Sequence, residues 1–100
     1  MTRHPNLRWF DLEPDLAWYE DPGHGWLAVR LSSYPDAEQH ATSFSFYIAA
    51  AGVRYVLLEE DVDAGTFLKV HPEIDRARIA RVSLDGADGE QLRRLPRGTK

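Results

Sequence analysis

The sequence predicts an α+β fold: a small antiparallel sheet of about four to five strands, with one helix packed on one face. Three observations lead to this prediction. The chain has 100 residues, which is enough for one domain with one modest core. Several short segments alternate between apolar and polar residues, as half-buried strands do. One later segment, Asp61 to Val70, changes to the spacing of an amphipathic helix.

Two pairs of strands come first. Asp21 to Gly25 contains a proline and two glycines, which favour a turn, so the segments on either side of it form a predicted hairpin. In its second strand, Leu27 and Val29 share one face, and Trp26 and Ala28 share the other. The next pair turns at Ala50-Ala51-Gly52. The predicted strands are Ala17 to Glu20, Trp26 to Leu31, Ser43 to Ala49, Val53 to Glu60 and, later in the chain, Ile79 to Leu84.

The helix prediction includes both of its ends. Asp61 or Asp63 is expected to cap the first amides, and His71-Pro72 is expected to end the helix. The polar segment Ser32 to Thr42 reads as a loop with one helical turn. After the last strand, the Asp85-Gly86 and Asp88-Gly89 pairs predict turns.

The domain prediction is a single α+β unit over residues 1–100. Residues 1–15 form an irregular arm, and residues 92–100 form a flexible basic tail. Residues 66–100 carry 8 basic and 5 acidic side chains, whereas residues 1–65 carry 4 basic and 11 acidic ones. This acidic body argues against nucleic acid as a partner, because that task needs a basic face.

Composition narrows the expected location and chemistry. The chain has no cysteine, which excludes disulfides and thiolate catalysis. No apolar run approaches the roughly 20 residues of a membrane span, and the first residues lack the apolar core of a signal peptide. We therefore expect a cytoplasmic protein without membrane contact.

No pattern of an enzyme is present. The five serines lie outside any Gly-x-Ser-x-Gly elbow, and both common glycine-rich phosphate loops are absent. We therefore expect no catalytic residue and no cofactor.

His24 is the most conspicuous single residue, because it lies between two glycines and beside Trp26. An imidazole at a turn can act as a base or a metal ligand. The simpler interpretation, which we favour, is a turn residue whose ring packs on a tryptophan or bonds a backbone carbonyl.

The acids at the start of the helix allow a second hypothesis. Clustered carboxylates attract hard cations, so a metal-dependent hydrolase or metal-binding protein is the alternative function. A helix N-terminus also collects acids, which is the favoured interpretation. The residues of the alternative site are His24, Glu59, Glu60, Asp61 and Asp63.

Aromatic residues are numerous for so short a chain. Surface tryptophan and tyrosine often anchor protein interfaces, and the predicted binding residues are His24, Trp26, Trp18 and Tyr47. The alternative, given equal weight, is a second small core beneath the N-terminal segment.

Three blocks resemble a family of small hypothetical proteins of bacteriophages, prophages and plasmids. They are DPGHGWLAV at 21–29, YVLLEEDVDAGTFL at 55–68 and LRRLP at 92–96. Val62 stands where that family usually has cysteine, and the segment from Arg30 to Thr42 differs. The resemblance implies a mobile-element origin and assigns no activity.

The leading hypothesis is thus a non-enzymatic accessory protein that acts by binding a protein, such as an inhibitor of a host or defence complex. A homo-oligomer, formed through an open sheet edge or the tryptophan-rich surface, is a further possibility for its assembly.

Overall fold

The computed structural model describes residues 2–97, in which five strands form one sheet in the order β3-β4-β2-β1-β5. Two helices and two short 3₁₀ helices complete the fold. The strands are β1 (Leu16–Glu20), β2 (Gly25–Arg30), β3 (Phe46–Ala50), β4 (Val53–Glu59) and β5 (Ala80–Ser83); the helices are α1 (Asp63–Lys69) and α2 (Gly86–Arg93); the 3₁₀ helices are Pro35–His40 and Arg76–Arg78.

The α+β class and the five strands are confirmed, while the sheet is mixed. Three neighbouring pairs are antiparallel, but β5 pairs with β1 in parallel. The reason is the connection through α1, which carries the chain from β4 across the sheet to a strand of the same direction. The predicted turn between β3 and β4 is present, with Ala51 at φ 52° and Gly52 at φ 77°, as a two-residue hairpin loop requires.

Both faces of the sheet are covered. On one face, Leu27 and Val29 of β2 pack in a cluster with Phe67 of α1. On the other face, Trp26 and Ala28 pack in a second cluster. Successive side chains of β2 therefore enter the two cores in turn. Because both faces are covered, the sheet shows few exposed apolar side chains.

The N-terminal segment forms most of the second cover. It contains no helix or longer strand before Leu16, yet Leu7, Trp9, Phe10 and Leu12 are buried. The Phe10 ring stacks on Tyr19 with their centroids 5.0 Å apart. The expected arm is thus irregular in backbone but packed as core, and burial raises the pKa of the Tyr19 hydroxyl to about 12.

The chain end differs from the prediction. Asp85 accepts a hydrogen bond from the Asp88 amide at 2.8 Å and so caps α2, where two turns were expected. Leu92 is fully buried in the second core. The Pro96 carbonyl accepts from the Tyr47 amide at 2.8 Å. The predicted flexible tail is therefore packed structure up to Arg97, and residues 98–100 lie outside the described residues.

The start of α1 also differs from the prediction, because neither Asp61 nor Asp63 caps it: the N-cap position is Val62, without a side-chain cap hydrogen bond. The Glu59 carboxylate accepts from the amides of Asp61 and Val62, at 2.7 and 3.0 Å. The glutamate at the end of β4 thus fixes the turn that precedes the helix. The helix itself is confirmed, although it is shorter than predicted.

Asp63 is instead buried, with 1% of its surface exposed. Its Oδ2 accepts from the Thr42 amide at 2.8 Å, the Thr42 hydroxyl at 2.7 Å and the Ser45 hydroxyl at 2.5 Å. The Ser45 oxygen in turn accepts from the Glu59 amide at 3.1 Å. This network ties α1 to the ends of β3 and β4, and it explains why β3 begins at Phe46 rather than at Ser43.

No helix in the part of the chain that the structure describes has the length and apolar character needed to cross a membrane.

We expect Asp63→Ala to lower the free energy of unfolding by about 3 kcal/mol, because three donors around it lose their acceptor inside the protein. Urea unfolding measures the change. Asp61→Ala is the matched control, since its exposed side chain belongs to no such network, and we expect a change below about 0.5 kcal/mol. Equal losses in the two variants would contradict the assigned role of Asp63.

Candidate binding pocket at one end of the sheet

A pocket of about 430 Å³ lies where β2 and β3 begin and β4 ends. Its floor is made of Trp26 and Phe46, each only 3% exposed, with ring centroids 6.1 Å apart. Its rim carries Phe44 and Val62, which are 64% and 57% exposed. Exposed apolar side chains are thus adjacent to a buried aromatic floor.

His24 reaches the pocket from the β1–β2 turn. The Asp21 carboxylate accepts from the amides of Gly23 and His24 at 3.0 and 2.7 Å, which fixes the turn. The imidazole stacks over Trp26 with centroids 6.0 Å apart. This is the interpretation that the sequence favoured, a turn residue packed on a tryptophan.

Arg93 of α2 closes this side of the pocket. Its Nη2 lies 2.6 Å from Asp21 Oδ2 and 3.2 Å from His24 Nδ1, and the guanidinium covers the Trp26 ring at 5.4 Å. A guanidinium only donates, so Nδ1 is the acceptor in this contact. Gly89 makes the approach possible, because a Cβ there would lie 2.9 Å from Asp21 Oδ2.

Asp21 is an ion-paired carboxyl with little exposure. Burial acts to raise its pKa, but hydrogen bonds from the amides of His24 and Gly23 and from Arg93 outweigh burial and lower the pKa below 3.8. A depressed pKa contributes stability that is present above the unfolded value and lost as the pH falls through the folded value.

Arg97 supplies the second guanidinium. Its Nη1 donates to the Ser43 carbonyl at 3.2 Å, and its charge lies over the Phe46 ring at 5.3 Å. No carboxylate of the described residues forms an ion pair with it. The pocket therefore contains one neutralised arginine and one cation free to pair.

The structure places only three of the five residues of the alternative metal site in the pocket: His24, Glu59 and Asp61. Glu60 lies against Gly25, where a Cβ would come within 3.1 Å of its carboxylate, and Asp63 is held in its own network. Within residues 2–97, no group of three or more histidine, aspartate or glutamate side chains could hold a metal ion.

Two of the predicted binding residues lie elsewhere. Trp18 is 8% exposed and packs on the α1 side of the sheet, with the Arg81 guanidinium 5.6 Å from its ring. Tyr47 is half-buried against the same cluster. Neither lines the pocket, and Trp26 is its floor rather than an exposed anchor. The pocket residues that the sequence did not single out are Phe44, Phe46, Val62, Arg93 and Arg97.

The Trp26 indole has a further property. Its Nε1 donor is enclosed and has no hydrogen-bond partner in the described part of the chain. A buried donor without an acceptor costs on the order of 1–3 kcal/mol. The floor of the pocket therefore includes a polar group that the fold leaves unsatisfied.

Comparisons with protein-family models, with curated proteins and with solved structures found no match.

We expect Arg93→Ala to raise the pKa of Asp21, because the burial of that carboxyl then lacks its charged partner. Acid unfolding should move to higher pH, and the free energy of unfolding at neutral pH should fall by about 1 kcal/mol. Carboxyl ¹³C titration and circular dichroism measure the two effects. Arg94→Ala is the adjacent exposed control, and an identical acid transition in both variants would refute the ion pair's role.

We also expect millimolar Mg²⁺, Mn²⁺ or Zn²⁺ to leave the Tm of the protein unchanged. A cation that binds only the folded state stabilises it in proportion to the logarithm of its concentration over Kd. Differential scanning fluorimetry tests this. A Tm that rises with cation concentration in the wild type, but not in Asp61→Asn, would restore the metal hypothesis.

Proposed function

We propose that the protein is a non-enzymatic binding module, and that the pocket at the end of the sheet receives a segment of a protein partner. One observation carries the proposal: Phe44 and Val62 are exposed over a buried aromatic floor, beside the unpaired guanidinium of Arg97.

The composition of the pocket supports protein binding. Interface hot spots are rich in tryptophan and arginine and lie in pockets from which water is excluded on binding. Here two arginines lie over two aromatic rings, so the pocket combines apolar area with directed charge. An apolar side chain that contacts Phe44 and Val62 would bury both of them.

The groups of the pocket lining support a binding role. None of the nine lining residues is serine, threonine, lysine or tyrosine, so no hydroxyl or amine nucleophile faces the space. Both oxygens of Glu59 accept from backbone amides, and the His24 nitrogen that faces Arg93 is occupied as an acceptor.

The charges indicate the chemistry of the partner segment. Both oxygens of Glu59 are used by backbone amides, and Arg93 is paired with Asp21. Arg97 is the remaining cation, so we expect the segment to carry an aromatic or large aliphatic residue next to aspartate or glutamate. Asp61, whose carboxylate accepts no hydrogen bond from the described residues, is available to a backbone amide of the partner.

The proposed biological setting is that of a mobile-element accessory protein, and it rests on the family resemblance alone. The proposed cytoplasmic location rests on the composition. Inhibition of a host or defence complex is one form of such a role. Binding of a partner segment in one pocket suits an inhibitor. While the segment lies in the pocket, it is not available to the larger complex to which the partner belongs.

Two valines provide the test. Val62 and Val70 are both 57% exposed, but only Val62 lines the pocket. Selection from a displayed library of random linear peptides should enrich sequences that place an apolar residue beside an acid. We expect Val62→Asp to weaken binding of a synthetic selected peptide at least tenfold by calorimetry, and Val70→Asp to leave it unchanged.

A second pair separates charge from shape. Arg97→Ala should weaken the same peptide and remove most of the salt dependence of binding, whereas Arg94→Ala should do neither. No enrichment of an apolar–acidic pattern, or equal losses from Val62→Asp and Val70→Asp, would overturn the proposal. A mass of 11.4 kDa by light scattering at high concentration would exclude a second copy as the occupant of the pocket.

A further inference from the structure

A cluster of titratable side chains lies away from the pocket, on the α1 side of the sheet. His71 follows the end of α1, and its Nε2 lies 2.6 Å from Asp36 Oδ2 of the 3₁₀ helix Pro35–His40. Its Nδ1 lies 2.9 Å from Glu73 Oε2. The ring thus joins two segments that are 35 residues apart in the chain.

Both ring nitrogens face carboxylates, so only one protonation state of the His71 ring satisfies both contacts. A carboxylate accepts, so each nitrogen has to donate. Only the imidazolium has two N–H donors, while the neutral ring has one donor and one lone pair. Loss of the proton would leave a lone pair 2.6 or 2.9 Å from a carboxylate oxygen, which is repulsive.

Aromatic rings hold the imidazole in place. Phe67 lies 4.6 Å from it and Tyr34 packs its edge at 5.2 Å, centroid to centroid. His40 Nε2 lies 3.8 Å from Asp36 Oδ2. Among residues 2–97, His71 and His40 are the basic side chains that form an ion pair with Asp36.

Two other acids near the ring are paired elsewhere. Glu38 pairs with Arg54 at 3.4 Å, and Asp75 pairs with Arg78 at 3.4 Å. The cation on the last turn of α1 is Lys69.

We propose that His71 is a pH-operated latch, which joins the 3₁₀ helix tightly to the end of α1 while its ring is doubly protonated. When the ring is neutral, it loses its charge and one of its two N–H donors, and the connection weakens. The latch acts at the opposite end of α1 from Asp63, whose hydrogen bonds to Thr42 hold the start of the helix independently of His71. The weakening is therefore local to the last turn of α1 and the 3₁₀ helix.

The sign of the pH dependence follows from the partners of the ring. The hydrogen bond to Asp36 raises the pKa of His71 above 6.5, burial opposes it, and Glu73 raises it further. A raised pKa contributes stability that is complete below 6.5 and lost as the pH rises through the folded value. At the acid end, the contact with Glu73 is lost when that carboxyl takes up a proton. A backbone hydrogen bond and then the hydrogen bond to His71 lower the pKa of Glu73 below 4.5, which extends the range of this contact.

The first test uses the wild-type protein labelled with ¹⁵N-histidine. At pH 6 we expect both ring nitrogens of His71 to show imidazolium shifts, with a titration midpoint above 6.5. Through that midpoint, the hydrogen-exchange protection factors of the Val70 and His71 amides should fall about two- to fivefold, the scale of a partly exposed ion pair. These amides form the last hydrogen bonds of α1.

The second test compares two acids of the same 3₁₀ helix. Asp36→Asn should lower the His71 midpoint, while Glu38→Gln, whose side chain faces Arg54, should leave it unchanged. A His71 midpoint at or below 6.5 in the wild type would overturn the proposal. So would equal midpoints in the two variants, or protection factors at Val70 and His71 that stay constant across the wild-type transition.

Discussion

The fold depends on one buried carboxylate. Asp63 lies in an otherwise apolar layer, where an unpaired oxygen would be costly, and three donors from Thr42 and Ser45 satisfy it. The satisfied network determines where α1 starts and where β3 starts. Phe44 and Val62 are the neighbours of these residues in the chain, so the same network positions both exposed side chains of the pocket rim.

The elements that were predictable are those that local pattern determines. In β2 and β4, successive side chains face opposite sides of the sheet as their sequence pattern predicts, and the apolar stripe of α1 predicts a helix. α2 was missed because Gly86 and Gly89 weaken its helical pattern, and the need for Gly89 is tertiary: the Asp21–Arg93 pair occupies the space of a side chain. The parallel position of β5 likewise depends on a crossover that no local pattern encodes.

The candidate site was predictable only in part. His24 was identified because its turn has strong signals, and Trp26 because it is adjacent. The acids from Glu59 to Asp63 form one cluster in sequence but separate environments in space. Glu59 accepts from amides of the turn before α1, Glu60 contacts Gly25, Asp61 lines the pocket and Asp63 lies in a buried network. Arg93 and Arg97 were predicted to lie in a flexible tail, because the local sequence does not show that Leu92 is buried. The burial of Leu92 places both arginines over the aromatic floor of the pocket.

The bond from the Tyr47 amide to the Pro96 carbonyl has a consequence for how copies of the chain meet. It places the protein's own C-terminal segment along the start of the outermost strand, beside the bridge between Phe46 and Arg97. The opposite border, β5, has four residues and includes the exposed cation of Arg81. Neither edge of the sheet offers a long, flat row of unpaired backbone groups. Copies of the protein at high concentration therefore have little exposed backbone through which to form cross-β fibres.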